Sequence, residues 1–168
     1  ASAQMDLGVC YSFGNGVKQS DTEAMKWFKK AADQGYPRAQ FAVGNCYQKG
    51  AGVPKNPEIA MEWIRRAADQ GYADAQLYLG ICFLNGVDVP QNKEEGIALI
   101  RQAAQTGNPD AELFLGICYA KGNGVEENLS LSVQWVHRAA EKGHAPAQKW
   151  LGDCFTRGDG VLVNPAAA

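Results

Sequence analysis

The sequence predicts an all-α fold, a solenoid built from 36-residue helix-turn-helix repeats. Three observations predict this fold. Glycines, cysteines and alanines recur at one fixed interval along the 168-residue chain, the apolar residues between them have helical spacing, and glycines stand where each helix is expected to end. A fixed period in this range is typical of stacked helical units, none of which can bury its apolar faces alone.

The most regular position is a glycine that recurs at steps of 36 residues, at Gly8, Gly44, Gly80, Gly116 and Gly152. Two residues later a cysteine follows the same step, at Cys10, Cys46, Cys82, Cys118 and Cys154. This register predicts repeats at residues 1–36, 37–72, 73–108 and 109–144, with a partial repeat at 145–168. We therefore expect one solenoid domain over residues 1–168, and a segment of a longer array, because no polar capping element ends it.

Each repeat contains two predicted helices, which we name helix A and helix B. Helix A is predicted at residues 2–13, 37–49, 73–85, 109–121 and 145–157. Helix B is predicted at residues 21–34, 57–70, 93–106 and 129–142. Every helix B is preceded by a residue suited to an N-cap, at Ser20, Asn56, Asn92 and Asn128. Glu23 and Glu95 stand where a capping box places its acid, and glycines such as Gly50 follow the last turns.

Helical spacing indicates which sides of the helices are buried. The stripe of helix B is typical of a core-facing helix: Ala24, Trp27, Phe28 and Ala31. The stripe of helix A is Ala39, Val43, Cys46 and Tyr47, with Gly44 beside it. A glycine inside a helix costs about 1 kcal/mol relative to alanine, so we expect a helix B backbone to approach this position closely.

The most complete copies of the repeat run from Ala39 to Gly71 and from Ala111 to Gly143. Both contain A-x-x-x-x-G-x-C-Y-x-x-G-x-G-V, followed by W-x-x-x-A-A-x-x-G. This pattern resembles the Sel-one-like repeat (SLR) family, a relative of the tetratricopeptide repeats. The third repeat departs from it, with Asp88 for a loop glycine, Gly96 for a small helix B residue and Leu99 for tryptophan.

The resemblance implies a tetratricopeptide-like, right-handed α-α superhelix whose A helices line the concave face. It also implies a non-enzymatic scaffold or adaptor that binds a protein or peptide partner. Some cysteine-rich bacterial relatives are credited with penicillin binding or weak β-lactam hydrolysis, and an enzyme of that type is the alternative. The sequence offers no serine or cysteine with a base at hand, which favours the scaffold.

Composition excludes several classes of function. The chain has 16 basic and 18 acidic residues and a formal net charge of -2, which gives no broad basic surface for nucleic acid. No apolar run approaches the roughly 18 residues of a membrane span, so we expect no direct membrane insertion. We expect no cofactor, no metal and no small-molecule substrate.

The five cysteines are interpreted as small buried thiols in the reduced state. Equivalent positions in stacked repeats lie roughly 10 Å apart, beyond the reach of about 7 Å that a disulfide allows. No C-x-x-C pair is present to hold zinc. Unpaired thiols favour a reducing compartment such as the cytoplasm, although export stays open. His137 and His144 do not repeat and are interpreted as solvated or locally hydrogen-bonded residues.

The helix A surface that points away from the core stripe is the predicted binding groove. Its predicted contact residues are Phe41, Asn45, Leu77, Ile81, Leu84, Leu113 and Ile117. Large apolar residues on an exposed face usually mark a contact surface. The alternative is that neighbouring A helices bury these residues against each other. The charged residues of helix B, among them Lys29 and Arg65, are interpreted as a solvated face.

Overall fold

The computed structural model describes the backbone of residues 1–157 and the side chains of residues 1–154. Every regular element in that part of the backbone is an α-helix. In chain order the helices are α1 (Ser2–Phe13), α2 (Asp21–Ala32), α3 (Pro37–Lys49), α4 (Pro57–Asp69), α5 (Ala73–Asn85), α6 (Lys93–Gln105), α7 (Pro109–Lys121), α8 (Leu129–Glu141) and α9 (Ala145–Arg157).

The odd-numbered helices are the A helices, and they begin and end at the predicted residues. The even-numbered helices are the B helices, and they end one or two residues earlier than predicted. The all-α fold of 36-residue helix-turn-helix repeats is confirmed.

The helices form two compact units. Unit 1 is Ala1–Leu79 and unit 2 begins at Gly80, so α5 contributes its first half to unit 1 and its second half to unit 2. In unit 1, α1 packs on α2, α2 on α3 and α3 on α4. In unit 2, α6 packs on α7, α7 on α8 and α8 on α9. Packing of each helix on its neighbours along the chain is what a stack of helical repeats requires.

The core of each unit is built from alanines and aliphatic side chains. Val43 and Ile64 are fully buried in unit 1, and Ile100, Leu115 and Val136 are fully buried in unit 2. These residues lie on the predicted inward stripes, and burying an aliphatic side chain of this size contributes about 1.5–3 kcal/mol.

The repeated glycine allows helix A to approach its helix B closely. A Cβ atom added at Gly44 would lie 2.5 Å from Ile64 Cγ1 and 3.0 Å from the Ala60 carbonyl oxygen. Gly8, Gly80 and Gly116 are equally close to the helix B that follows each of them. Gly152 differs, because no heavy atom of the described chain outside its own helix backbone would lie within 4 Å of such a Cβ.

The B helices begin with side-chain N-caps. The Asn92 side chain accepts a hydrogen bond from Glu95 N at 3.2 Å, and equivalent bonds start the other B helices, from Ser20, Asn56 and Asn128. The reciprocal half of the predicted capping box is wrong. Asn92 N donates to Phe83 O at 2.9 Å, and Ser20 N donates to Tyr11 O at 2.9 Å, so these amides are not available to Glu95 and Glu23.

The loop between the two helices needs a left-handed backbone at two positions. In the second repeat these are Gly50, with φ 74°, and Gly52, with φ 72°. In the third repeat the second position is Asp88, which adopts the same conformation with φ 59°. Such a conformation is uncommon outside glycine, but aspartate tolerates it better than most residues. The helices on either side of Asp88 keep the usual 13 residues.

Candidate interaction surface

The helix A face of unit 1 contains three of the predicted contact residues. Phe41 and Asn45 on α3 and Leu77 on α5 are all half-buried. The Phe41 ring centroid lies 5.6 Å from that of Tyr72 and 6.2 Å from that of Tyr78, distances typical of favourable aromatic pairs. Phe41 is therefore partly covered by residues at and beyond the start of the next helix A, and part of its ring remains accessible.

Polar groups adjoin this aromatic set. The Tyr72 hydroxyl donates a hydrogen bond to Asp74 Oδ2 at 2.9 Å. The pKa of Tyr72 is raised to about 12, mainly because the phenol is partly buried. The hydrogen bond to the Asp74 carboxylate raises this pKa further, and the nearby charge of Arg38 lowers it. Tyr72 thus remains protonated at physiological pH, and its hydroxyl group keeps a fixed donor direction.

The helix A face of unit 2 contains three aliphatic residues from the prediction. Ile81 on α5 and Leu113 and Ile117 on α7 are half-buried. Ile81 and Ile117 occupy the same position of successive repeats, 36 residues apart. Each of the three side chains keeps part of its surface accessible, and Leu113 also packs against the core cluster of Val136, Ala139 and Ala147.

Leu84 is not part of an exposed face, so its prediction as a contact residue is corrected. It is 1% exposed, and an added Cβ at Gly96 would lie 3.0 Å from Leu84 Cγ. An added Cβ at Gly124 would lie 2.9 Å from Leu84 Cδ2. Leu84 therefore fills space that two glycines leave open in unit 2, and it is a core residue.

The cations of helix B lie over tryptophan rings. In unit 1, Lys29 Nζ is 4.8 Å and Arg66 Cζ is 4.6 Å from the centroid of Trp63, and Lys30 Nζ is 4.0 Å from that of Trp27. Trp63 is 8% exposed. The aliphatic stems of these cations cover apolar surface while their heads stay near water. Lys29, Lys30 and Arg66 are thus packed on aromatic rings, whereas Arg65 is exposed as expected.

The comparison with known families covers the whole chain. All five segments match the Sel1 repeat family model, at residues 1–36, 37–72, 73–108, 109–144 and 145–168. The chain belongs to the Sel1 repeat family. Sel1 repeat proteins are commonly protein-interaction scaffolds and are generally non-catalytic. No curated protein matches this sequence.

Solved structures agree with the Sel1 repeat assignment. A Sel1 repeat protein from Oxalobacter formigenes has 38% sequence identity and a TM-score of 0.88, over 94% of this chain and 64% of that one. The protein c5321, a protective antigen of uropathogenic Escherichia coli with an SLR fold, has 35% identity and a TM-score of 0.83, over 94% of this chain and 34% of that one. This chain therefore spans less than two thirds of either relative.

A third likeness concerns the fold alone. Cysteine rich protein B of Helicobacter pylori has 19% identity and a TM-score of 0.61, over 81% of this chain and 98% of that one.

The fourth Sel1 repeat contains a buried carboxylate that sequence reasoning missed. Glu112 is fully buried, and Lys142 Nζ lies 2.8 Å from each of its two oxygens. Arg138 Nε lies 3.2 Å from Glu112 Oε1, and Lys142 also donates to Gly107 O at 2.9 Å. A buried charge of this kind is tolerated only when it is paired and hydrogen-bonded. The sequence signal was Glu112 at a position where the other repeats carry glutamine.

The cysteines of the Sel1 repeats carry free thiols. Cys82 and Cys118 are buried as predicted, but Cys10, Cys46 and Cys154 are only half-buried. Burial raises the pKa of Cys46 and of Cys118 to about 11, with smaller opposing effects of Lys49 and Lys121. These two thiols stay protonated at neutral pH and are poor nucleophiles.

The described residues contain no group of three or more His, Cys, Asp or Glu side chains able to hold a metal ion, and none of their helices is long and apolar enough to cross a membrane. His144 Nε2 lies 3.0 Å from Asp110 Oδ1, and the exposed His137 lies 3.4 Å from Glu141. Both histidines make the local contacts expected of them.

Proposed function

We propose that this Sel1 repeat chain is a non-enzymatic scaffold or adaptor that binds a protein or peptide partner through its helix A face. The observation that carries the proposal is the half-buried state of Ile81, Leu113 and Ile117. They are large aliphatic side chains on A helices, and each keeps accessible surface, although Leu113 also packs against the core cluster of Val136, Ala139 and Ala147. Residues of this type gain most when a partner removes their remaining surface from water.

The helix A face of unit 1 supplies the same kind of surface with a different composition. Phe41 and Leu77 offer apolar area, and Asn45 offers an amide for hydrogen bonds to a peptide backbone. Aromatic and aliphatic anchors bordered by polar groups are the usual composition of protein contact sites. Leu84 takes no part, because it is buried.

The experiment is a binding assay with matched surface variants. Partners are captured from the native organism with the wild-type chain and identified by mass spectrometry, and the affinity of each is then measured. Replacing Ile81 and Ile117 together by Asp is expected to abolish binding, because charged groups cannot be desolvated at an apolar contact. Interface anchors typically contribute about 2 kcal/mol or more each.

The matched control carries the same change on the B helices. Ala98 and Gln134 are exposed and also stand 36 residues apart, so replacing both by Asp adds equal charge at equivalent positions. Affinity is expected to stay within about twofold of wild type, since exposed residues outside a contact contribute little. Loss of binding in the control but not in the Ile81 and Ile117 variant would place the partner on the B helices and not on the helix A face. Loss of helical circular dichroism in that variant would place both isoleucines in the core.

A further inference from the structure

A cleft of about 420 Å³ lies in unit 2, outside the helix A face proposed above. Arg101 on α6, Tyr119 on α7, the loop from Val125 to Asn128, and Leu131 on α8 line it. None of these residues belongs to the predicted contact set. Its volume lies toward the lower end of the roughly 300–1,000 Å³ typical of ligand pockets in proteins, which leaves room for one side chain.

The cleft lining combines polar and apolar side chains. Tyr119, Val125 and Leu131 are half-buried, and Leu129, two positions before Leu131, is 46% exposed. The Arg101 guanidinium donates to the Tyr119 hydroxyl through Nη2 at 3.2 Å. Arg101 is the cation among the lining residues, and this bond holds its guanidinium at the phenol.

The rim carries two carboxylates. Glu126 and Glu127 are exposed, and within the described side chains neither forms an ion pair. The same positions hold Pro54 and Lys55 in the second repeat, so the acidic rim is a property of the fourth repeat. The cleft therefore joins the apolar surface of Tyr119, Val125 and Leu131 to two carboxylates and one guanidinium, which is a local excess of one negative charge.

We propose that this cleft binds a lysine or arginine side chain from an extended segment of a partner protein. The aliphatic stem of such a side chain would lie on Tyr119 and Leu131, and its charged head would reach Glu126 and Glu127. An aliphatic residue next to it in the partner would cover Leu129. Two carboxylates against one engaged guanidinium disfavour an anionic occupant by charge. The proposal goes beyond the helix A scaffold function and does not depend on it.

The test uses the full chain and a defined probe, a short capped peptide of alternating leucine and lysine. Binding is measured by calorimetry and mapped by amide chemical shifts, which are expected to move at Tyr119, Val125 and Leu131. Changing Glu126 and Glu127 together to Gln is expected to weaken binding about fivefold to tenfold, the effect of losing two solvent-exposed ion pairs. The same peptide with glutamate in place of lysine is expected not to bind.

The matched control is the double change Glu94→Gln and Glu95→Gln, which removes the same charge from another exposed carboxylate pair of unit 2. It is expected to change affinity less than twofold. Equal weakening by both double variants, shifts away from the cleft, or no binding to wild type would each overturn the proposal. The Ile81 and Ile117 variant should bind the probe normally, so failure of the cleft and failure of the helix A face are distinguishable.

Discussion

At the scale of single residues, one absent methyl group sets the distance between helices. A Cβ atom at Gly116 would lie 2.5 Å from Val136 Cγ2 and 2.9 Å from the Ser132 carbonyl oxygen. One of these neighbours is backbone, so α7 and α8 would have to move apart to make room. The same repeat position at Gly152 has no such neighbour among the described residues.

Gly116→Ala is therefore expected to destabilise the protein by about 1–3 kcal/mol, the usual range for overpacking a core contact. The matched change Gly152→Ala is expected to be neutral or to stabilise by up to about 1 kcal/mol, because alanine is the better helix former. Urea denaturation followed by circular dichroism measures both. If both changes alter the free energy of unfolding equally, the close approach of α8 to Gly116 is not the reason for the loss of stability.

Leu84 shows where sequence reasoning at this scale stopped short. Its position, equivalent to Gln48 and Ala120, points away from the core stripe, which predicts exposure. The structure buries it because Gly96, which takes the place of Ala24, Ala60 and Ser132 in the other repeats, leaves room for the larger side chain. Both departures occur in the third repeat, so the pair was visible in the sequence as a large residue matched by a small one.

At the scale of elements, the helices could be predicted closely because most of their ends carry a local chemical signal, although α1 follows Ala1 without a side-chain cap. The N-cap residues and the left-handed glycines are local devices, and their spacing fixes where a helix begins and ends. The capping box failed because its second half depends on a tertiary contact. Asn92 N is bonded to Phe83 O on the preceding helix A, and no local pattern reports that bond.

Because of this arrangement, the Asn92 side chain should contribute more to the stability of α6 than Glu95, its predicted capping-box partner. Asn92→Ala is expected to destabilise α6 by about 1 kcal/mol, since Glu95 N loses its acceptor. Glu95→Gln is expected to change stability by less than about 0.5 kcal/mol, because its bond to the Asn92 side chain is exposed. Thermal denaturation of the two variants compares them directly. A larger loss of stability for Glu95→Gln than for Asn92→Ala would contradict this expectation and support the reciprocal capping box.

At the scale of the whole molecule, the predicted contact surface was harder to obtain than the fold. The repeat register predicts which residues of helix A point away from helix B. Ile81, Leu113 and Ile117 are half-buried, and Leu113 also packs against the core cluster of Val136, Ala139 and Ala147, so their role in binding stays a prediction. The register does not state how far the next A helix covers them. Phe41 meets Tyr72 and Tyr78, so its burial depends on residues one repeat later.

One polar position of helix A also differs between the repeats, because the fourth repeat has glutamate where the others have glutamine. Gln40, Gln76 and Gln148 donate to the carbonyl of the last alanine in the preceding helix B, at 3.5, 3.3 and 3.1 Å. Gln40 also accepts from Gln70 Nε2 at 2.7 Å. In the fourth repeat the corresponding pair is Glu112 and Lys142. An ion pair has replaced an amide pair at one point in an otherwise regular structure.

Glu112 and Lys142 should therefore be replaceable by two glutamines together, but not one at a time, without loss of stability. Lys142→Gln alone is expected to destabilise by roughly 2 kcal/mol, because the buried Glu112 carboxylate keeps only Arg138 as a charged partner. Glu112→Gln alone is expected to cost less than about 1 kcal/mol, since Lys142 is 40% exposed and can be solvated. In the double variant, the amide that replaces the Glu112 carboxylate can bond as that of Gln40 does, and stability is expected to return to within about 0.5 kcal/mol of wild type. Urea denaturation of the wild type, the two single variants and the double variant gives the coupling free energy between residues 112 and 142. If the two single losses of stability simply add in the double variant, the amide pair does not replace the ion pair.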